Sequence, residues 1–246
     1  MNRKDKKIDT VKFNKKDVKI IAHRGLSGIE TENTNSAFVA AGNRSYWGIE
    51  TDVHKTTDGV YVVFHDDNTG RVANKDLVIE EATYKELCEL TLNDINGKQG
   101  RRDLIIPILQ DYISICKKYN KHAVLELKNE FTYEDIKEIV EIIESYEYLD
   151  DTTFISFRIN NLISLRQIRP NQKAQYLTSE FSDEILENLK KYKLDLDIEY
   201  HSVNKDMMKI LKENNIEVNC WTCNDAEEGE KLVECGVDYI TSNILE

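Results

Sequence analysis

Ala123-Val124-Leu125-Glu126-Leu127-Lys128, with a helical pattern over residues 134–145 behind it, is the stretch that decides the fold. A short apolar run that ends in ionisable residues and is followed by a helix reads as one βα unit. The same rhythm continues downstream. Strands are predicted at 153–157, 174–177, 194–199, 218–222 and 239–241, separated by helical patterns at 161–168, 183–191, 205–214 and 225–234. Upstream, the apolar run 18–22 and a second strand carrying Glu50-Thr51-Asp52 bring the count to eight. Alternating βα units over this length predict an α/β fold of the TIM-like (β/α)8 barrel type rather than an open sheet. No Gly-rich phosphate loop or dinucleotide fingerprint opens any of the helices, which weighs against a doubly wound alternative.

One arm stands outside the eight. Thr56-Thr57-Asp58-Gly59 is a hairpin signal, and Val60-Tyr61-Val62-Val63-Phe64 is its return. A two-residue turn on Asp58-Gly59 would set Thr56 opposite Tyr61, His54 opposite Val63 and Asp52 opposite His65, so that the return arm lifts His65 to the level of the carboxylates. A one-residue slip would turn His65 to the other face. Between 69 and 106 the rhythm breaks. This mixed, polar segment holds one predicted helix near 84–90 and reads as a small insertion above the barrel, after the second βα region. Pro107 then opens a helix that ends near Tyr119. Asn33 or Thr34 is placed to cap a short helix that Gly42 closes. Residues 1–16 read as a lysine-rich lead-in to a single barrel domain spanning 1–246. Only four residues follow Ser242, so the eighth helix is either missing or supplied by the N-terminal segment.

Composition narrows the class of function. The 246 residues are 40% hydrophobic and 32% charged, as a normal soluble core requires, and the two prolines leave no room for a long linker. With 33 basic and 45 acidic residues the net charge is −12. That argues against nucleic-acid binding as the main function, which needs a positive surface, but not against a small phosphate ester held at a local site. No signal-peptide pattern follows the basic start, and no run reaches a membrane span, roughly 18 apolar residues. The five cysteines, an odd number, argue against a disulfide framework and for a reduced, cytoplasmic protein.

Ionisable residues recur at the downstream ends of the predicted strands: His23-Arg24-Gly25, Glu50-Thr51-Asp52, His65-Asp66 and Glu126-Leu127-Lys128. Such groups are costly to desolvate unless paired or bound to a metal. In a barrel these ends share the face that holds the site. Glu50 and Asp52, two apart on a strand, project to one side. With Glu126 they offer three hard oxygen donors, suited to Mg²⁺ or Ca²⁺. Two histidines beside such an ion supply what phosphodiester cleavage needs, one taking a proton from the nucleophile and the other giving one to the leaving alkoxide. Arg24 and Lys128 are positioned to meet the phosphoryl oxygens.

These motifs, together with Glu32-Asn33-Thr34, Ala37-Phe38, Ser156-Phe157, Trp221-Thr222-Cys223-Asn224 and Gly236-Val237-Asp238, resemble the glycerophosphodiester phosphodiesterase family in order and spacing over most of residues 18–243. The resemblance implies a barrel enzyme that hydrolyses a glycerophosphodiester to glycerol 3-phosphate and an alcohol. It implies His23 and His65 as the acid and base, a divalent metal on Glu50, Asp52 and Glu126, and Arg24 and Lys128 on the phosphate. Trp221 is either barrel filling or a cover for the glycerol, and the resemblance favours the cover. Thr31, Gln110 and Ser242-Asn243 depart from the expected pattern, the last three standing where acidic residues are expected. A related phosphodiesterase of lysophospholipids or phosphoinositides and a non-catalytic phosphodiester-binding barrel are the alternatives. His54, His122 and His201 read as structural, the last two without partners. Cys220 and Cys223, three apart on a strand, face opposite sides.

Overall fold

The computed structural model describes residues 8–246; part of the lysine-rich lead-in, residues 1–7, lies outside them. The chain runs β1 (Lys19–Ala22), α1 (Asn35–Gly42), β2 (Gly48–Lys55), β3 (Tyr61–Val63), α2 (Tyr84–Cys88) and α3 (Leu109–Tyr119). It continues through β4 (His122–Leu127), α4 (Tyr133–Ser145), β5 (Thr152–Ser156), α5 (Ile159–Ile168), β6 (Ala174–Thr178) and α6 (Asp183–Tyr192). Last come β7 (Asp195–Glu199), α7 (Lys205–Glu213), β8 (Val218–Trp221), α8 (Ala226–Cys235) and β9 (Tyr239–Ser242). β1, β2 and β4–β9 pair in parallel, and β1 closes the ring by pairing with both β9 and β2. The result is the expected closed eight-stranded barrel, with β3 the surplus arm, antiparallel on β2.

Alternation along each strand divides the core. One set of side chains, including Ala22, Ile49, Leu125, Phe154, Leu196 and Ile240, packs outward against the helices. The other set fills the barrel: Ile21, Val124, Ile155, Leu177 and Tyr239 form an apolar plug with Trp47 and Trp221. Glu50, Asp52 and Glu126 take inward positions further along their strands, above the plug. α4 shows how the sequence sets a helix: Thr132 accepts from the Asp135 amide while Asp135 reaches back, a capping box. Thr34, rather than Asn33, caps α1.

The hairpin register differs from the expected one by a residue. Val53 faces Val63, His54 faces Val62 and Lys55 faces Tyr61. The turn has three residues rather than two: Thr56 N donates to Val60 O, Gly59 N donates to Thr56 O, and Gly59 takes φ +82°. A left-handed glycine in third position is the signature of this longer turn. Asp52 O therefore accepts from Phe64 N, at 3.1 Å, and not from His65. Because β3 stops at Val63, His65 leaves the ladder and still reaches the barrel mouth.

The segment 69–106 packs a small core of its own against β3, in which Val62 and Phe64 meet Ala73, Ile79, Leu87, Leu92, Leu104 and Ile106. At the barrel's last corner, Val11 bridges to Leu245, and Phe13 lies so close to Gly229 of α8 that a Cβ there would sit 2.9 Å from its ring. The described part of the lead-in thus takes up space beside the final strand.

Candidate active site

The loop after β1 is built on unusual backbone. Arg24 has φ +54° and Gly25 φ +75°. A Cβ on Gly25 would lie 2.7 Å from the Ala37 carbonyl carbon, so glycine is required both by conformation and by space. This bend aims the Arg24 amide at Glu50, whose Oε2 accepts at 2.8 Å, and turns the His23 and Arg24 side chains over the barrel.

Glu50, Asp52 and Glu126 each present an oxygen within 4.8 Å of the others, and all three are buried. Asp52 is the ionised member: burial would raise it, but Lys128 and Arg24 outweigh that and hold it well below the usual carboxylate range. Glu50 and Glu126 are pushed up, first by burial and then by the charge of Asp52. Lys128 Nζ lies 3.5 Å from Asp52 Oδ1 and 3.2 Å from Glu126 Oε1. Those two oxygens are buried, and beyond this ion pairing with Lys128 neither accepts a hydrogen bond of regular geometry among the described residues. Three clustered hard oxygens, two of them short of donors, fit a divalent cation such as Mg²⁺ or Ca²⁺.

Both imidazoles face the cavity that Glu50 and Glu126 line, with Asp52 buried beside those two carboxyls. His23 Nδ1 lies 2.7 Å from Asn243 Oδ1, an acceptor, so the ring donates there and keeps Nε2 as its basic nitrogen, 3.9 Å from Glu50. Burial and then Arg24 lower His23 to about 4, against the support of Asn243. His65 donates from Nδ1 to Asp66 Oδ1 at 2.6 Å. It too is lowered, by burial above all, although Asp52 and Asp66 work in the other direction.

Four supporting residues were not assigned roles from sequence. Asn33 donates to Asp52 Oδ2 at 2.9 Å and accepts from Thr51 Oγ1 at 2.7 Å, which fixes the Asp52 carboxylate. Glu32 accepts from Arg24 at 2.8 Å. Arg71, from the insertion, binds both Asp66 (Nε, 2.6 Å) and Glu32 (Nη2, 2.6 Å). One guanidinium thereby braces the partner of His65 and the partner of Arg24 together. Signals for three of them were in view, since Glu32-Asn33 is part of a recognised motif and Asp66 follows His65. Arg71 carried none, because only the folded insertion brings it near.

Trp221 lines the cavity, with its Nε1 buried and without an acceptor, and its ring meets Phe157 edge-on at 5.6 Å. The histidines read as structural lie outside this cavity. His54 is fully buried near Glu80 and Asn129. His122 and His201 do have partners, contrary to expectation. His122 stacks on Trp47 at 4.2 Å and bonds Thr153 at 2.8 Å, and His201 pairs with Glu199 at 2.7 Å. Thr153 lies on β5, remote in sequence from His122, and His201 is turned back onto Glu199 at the end of β7 by a short helical turn that periodicity does not show. Cys220 and Cys223 are both buried in the outer core, as free thiols.

A closed parallel barrel with two imidazoles, a carboxylate trio and two fixed cations at one mouth defines an enzyme of the barrel phosphodiesterase class. The model of the glycerophosphoryl diester phosphodiesterase family matches residues 23–245, and the chain belongs to that family. A glycerophosphodiester phosphodiesterase of Bacillus altitudinis is 28% identical over 228 residues, 90% of this chain and 93% of that protein. One of Caldanaerobacter subterraneus is 27% identical, covering 91% and 93%. Among solved structures, an Oleispira antarctica phosphodiesterase in complex with the product sn-glycerol-3-phosphate superposes with TM-score 0.83 at 28% identity, covering 92% of each chain. No helix among the described residues is long and apolar enough to cross a membrane.

Proposed function

We propose that this protein hydrolyses glycerophosphodiesters to glycerol 3-phosphate and an alcohol, with His23 as general base and His65 as general acid. The observation that carries the proposal is the single cavity lined by both imidazoles, Glu50, Glu126, Arg24 and Lys128, with Asp52 clustered against the two glutamates. His23 suits the base role because its hydrogen-bond partner is a neutral amide and burial keeps the ring uncharged. As the attacking oxygen closes on phosphorus, its proton passes to His23 Nε2. The phosphorus–oxygen bond to the alcohol breaks, and His65 gives its proton to that oxygen. Asp66 and Asp52 favour the imidazolium that His65 must be, and the diester's own charge adds to this on binding. Arg24 and Lys128 offset charge on the non-bridging oxygens. Glu50, Asp52 and Glu126 would hold a divalent metal, Mg²⁺ or Ca²⁺, which supplies Lewis-acid stabilisation of phosphoryl charge. We place this activity in the cytoplasm on the odd, scattered cysteines.

The direct test is release of glycerol 3-phosphate from glycerophosphocholine and glycerophosphoethanolamine with Mg²⁺ or Ca²⁺ supplied. Tight diester binding with no turnover would instead favour a non-catalytic barrel, and preference for lysophospholipid vesicles the membrane-facing alternative.

Asn243 gives a second expectation. Replacing it by aspartate places a carboxylate against His23 Nδ1, which favours the protonated ring and raises its pKa from about 4. A base must be unprotonated, so activity is lost below its pKa. The acid limb of the kcat/KM profile is expected to move to higher pH in Asn243→Asp, with the limb in wild type lying well below neutrality. An unmoved limb would take His23 out of the base role.

A further inference from the structure

One buried ionisable group in the barrel has no part in the chemistry above. Asp197, on β7, is 1% exposed and its Oδ1 has no hydrogen-bond partner. Asn219 stands at the paired position on the adjacent strand, and no cation among the described residues pairs with Asp197. Its surroundings include the apolar Ile155 and Leu177, yet it lines the cavity that holds His23, Glu50 and Glu126. Counting round the ring, β7 stands four strands from β2 in either direction, directly across from Glu50 and Asp52. A carboxyl kept in such a place is costly unless something bonds it, and a leucine would fill the space at less cost.

We propose that Asp197 is a specificity-determining residue whose carboxyl hydrogen-bonds the terminal hydroxyl of the substrate's glycerol. This rests on the glycerophosphodiester activity proposed above. The alcohol half of such substrates varies in size and belongs at the open mouth, beside Phe157, which is 41% exposed. The glycerol half is small and constant and fits the enclosed side. Burial pushes the Asp197 carboxyl up to about 8, so near neutrality it holds its proton. A neutral carboxyl both donates and accepts, and so does a hydroxyl, whereas a cationic head group would call for an ionised partner. The buried Trp221 Nε1 adds a second free donor on the neighbouring strand.

The test compares glycerophosphocholine with the phosphocholine diester of propane-1,2-diol, which lacks only the terminal hydroxyl. A site built to bond a hydroxyl rejects the analogue that lacks it by large factors. Wild type is expected to prefer the glycerol substrate by about 10²-fold or more in kcat/KM. Asp197→Leu should lose a similar factor on the glycerol substrate and little on the deoxy analogue, so the two deletions do not add. Asp197→Asn, which still bonds a hydroxyl, should recover part of the loss. Equal losses on both substrates, or no loss on either, would overturn the proposal. So would wild-type discrimination below about threefold, a measurement that needs no variant. Failure of wild type to cleave either diester would instead overturn the activity itself.

Discussion

His65→Ala is expected to lower kcat/KM for glycerophosphocholine by about 10²–10⁴-fold, the range for loss of a general acid. At about 1.36 kcal/mol per tenfold this is roughly 3–5 kcal/mol of transition-state stabilisation. The decisive comparison uses a glycerophosphodiester whose leaving group is p-nitrophenol. A phenolate leaves without a proton, so His65→Ala should recover most of its activity on that substrate. His23→Ala, which removes the base, should stay impaired on both. The opposite pattern would exchange the two roles. If both variants kept wild-type rates on glycerophosphocholine, proton transfer by this pair would be refuted. Folding can be monitored alongside by thermal melting, since neither ring is part of the apolar core: His23 bonds Asn243 and His65 bonds Asp66, both at the barrel mouth.

The barrel was legible because its evidence is repetitive. Seven βα transitions follow one another along the chain, and an error at one boundary leaves the rest intact. The hairpin was less legible because its register depends on one residue. Asp58-Gly59 suits a two-residue turn as well as the observed three-residue one, and only the position of the left-handed glycine separates them. His65 kept its place at the mouth despite the slip, since it lies beyond the ladder, where the alternation of a strand no longer governs it. The primary site residues were legible because their motifs end strands, and strand ends in a barrel converge. The braces around them were not. Arg71 lies 48 residues after His23 in a segment without periodicity, and its link to Glu32 and Asp66 exists only once that insertion has folded. Asp197 was hidden for another reason: in sequence Leu194–Glu199 alternates like any half-exposed strand, and only barrel closure buries its polar face.

Removing divalent metal is expected to abolish turnover, and the loss should reverse on adding Mg²⁺ or Ca²⁺. EDTA followed by titration with each ion measures this, with the better ion identifying the preferred one. The carboxylates make a further demand that activity alone does not test. In the metal-free protein Glu50 and Glu126 are raised by burial and by their ionised neighbour, so they tend to hold protons that a cation must displace. Deprotonated carboxylates are the ligands, so metal affinity should strengthen as pH rises through the raised carboxyl range and weaken below it. Isothermal titration in buffers of different ionisation enthalpy reports the protons released, and release of none would mean the acidic trio is already ionised or is not the site. Binding should also raise the Tm, because an ion held by the folded trio has no equivalent site in the unfolded chain. Glu126→Gln removes one charge while preserving shape, and it should weaken both the binding and the thermal shift. Full turnover in EDTA, with affinity for either ion unchanged in Glu126→Gln, would show that the clustered carboxylates serve the fold rather than a metal.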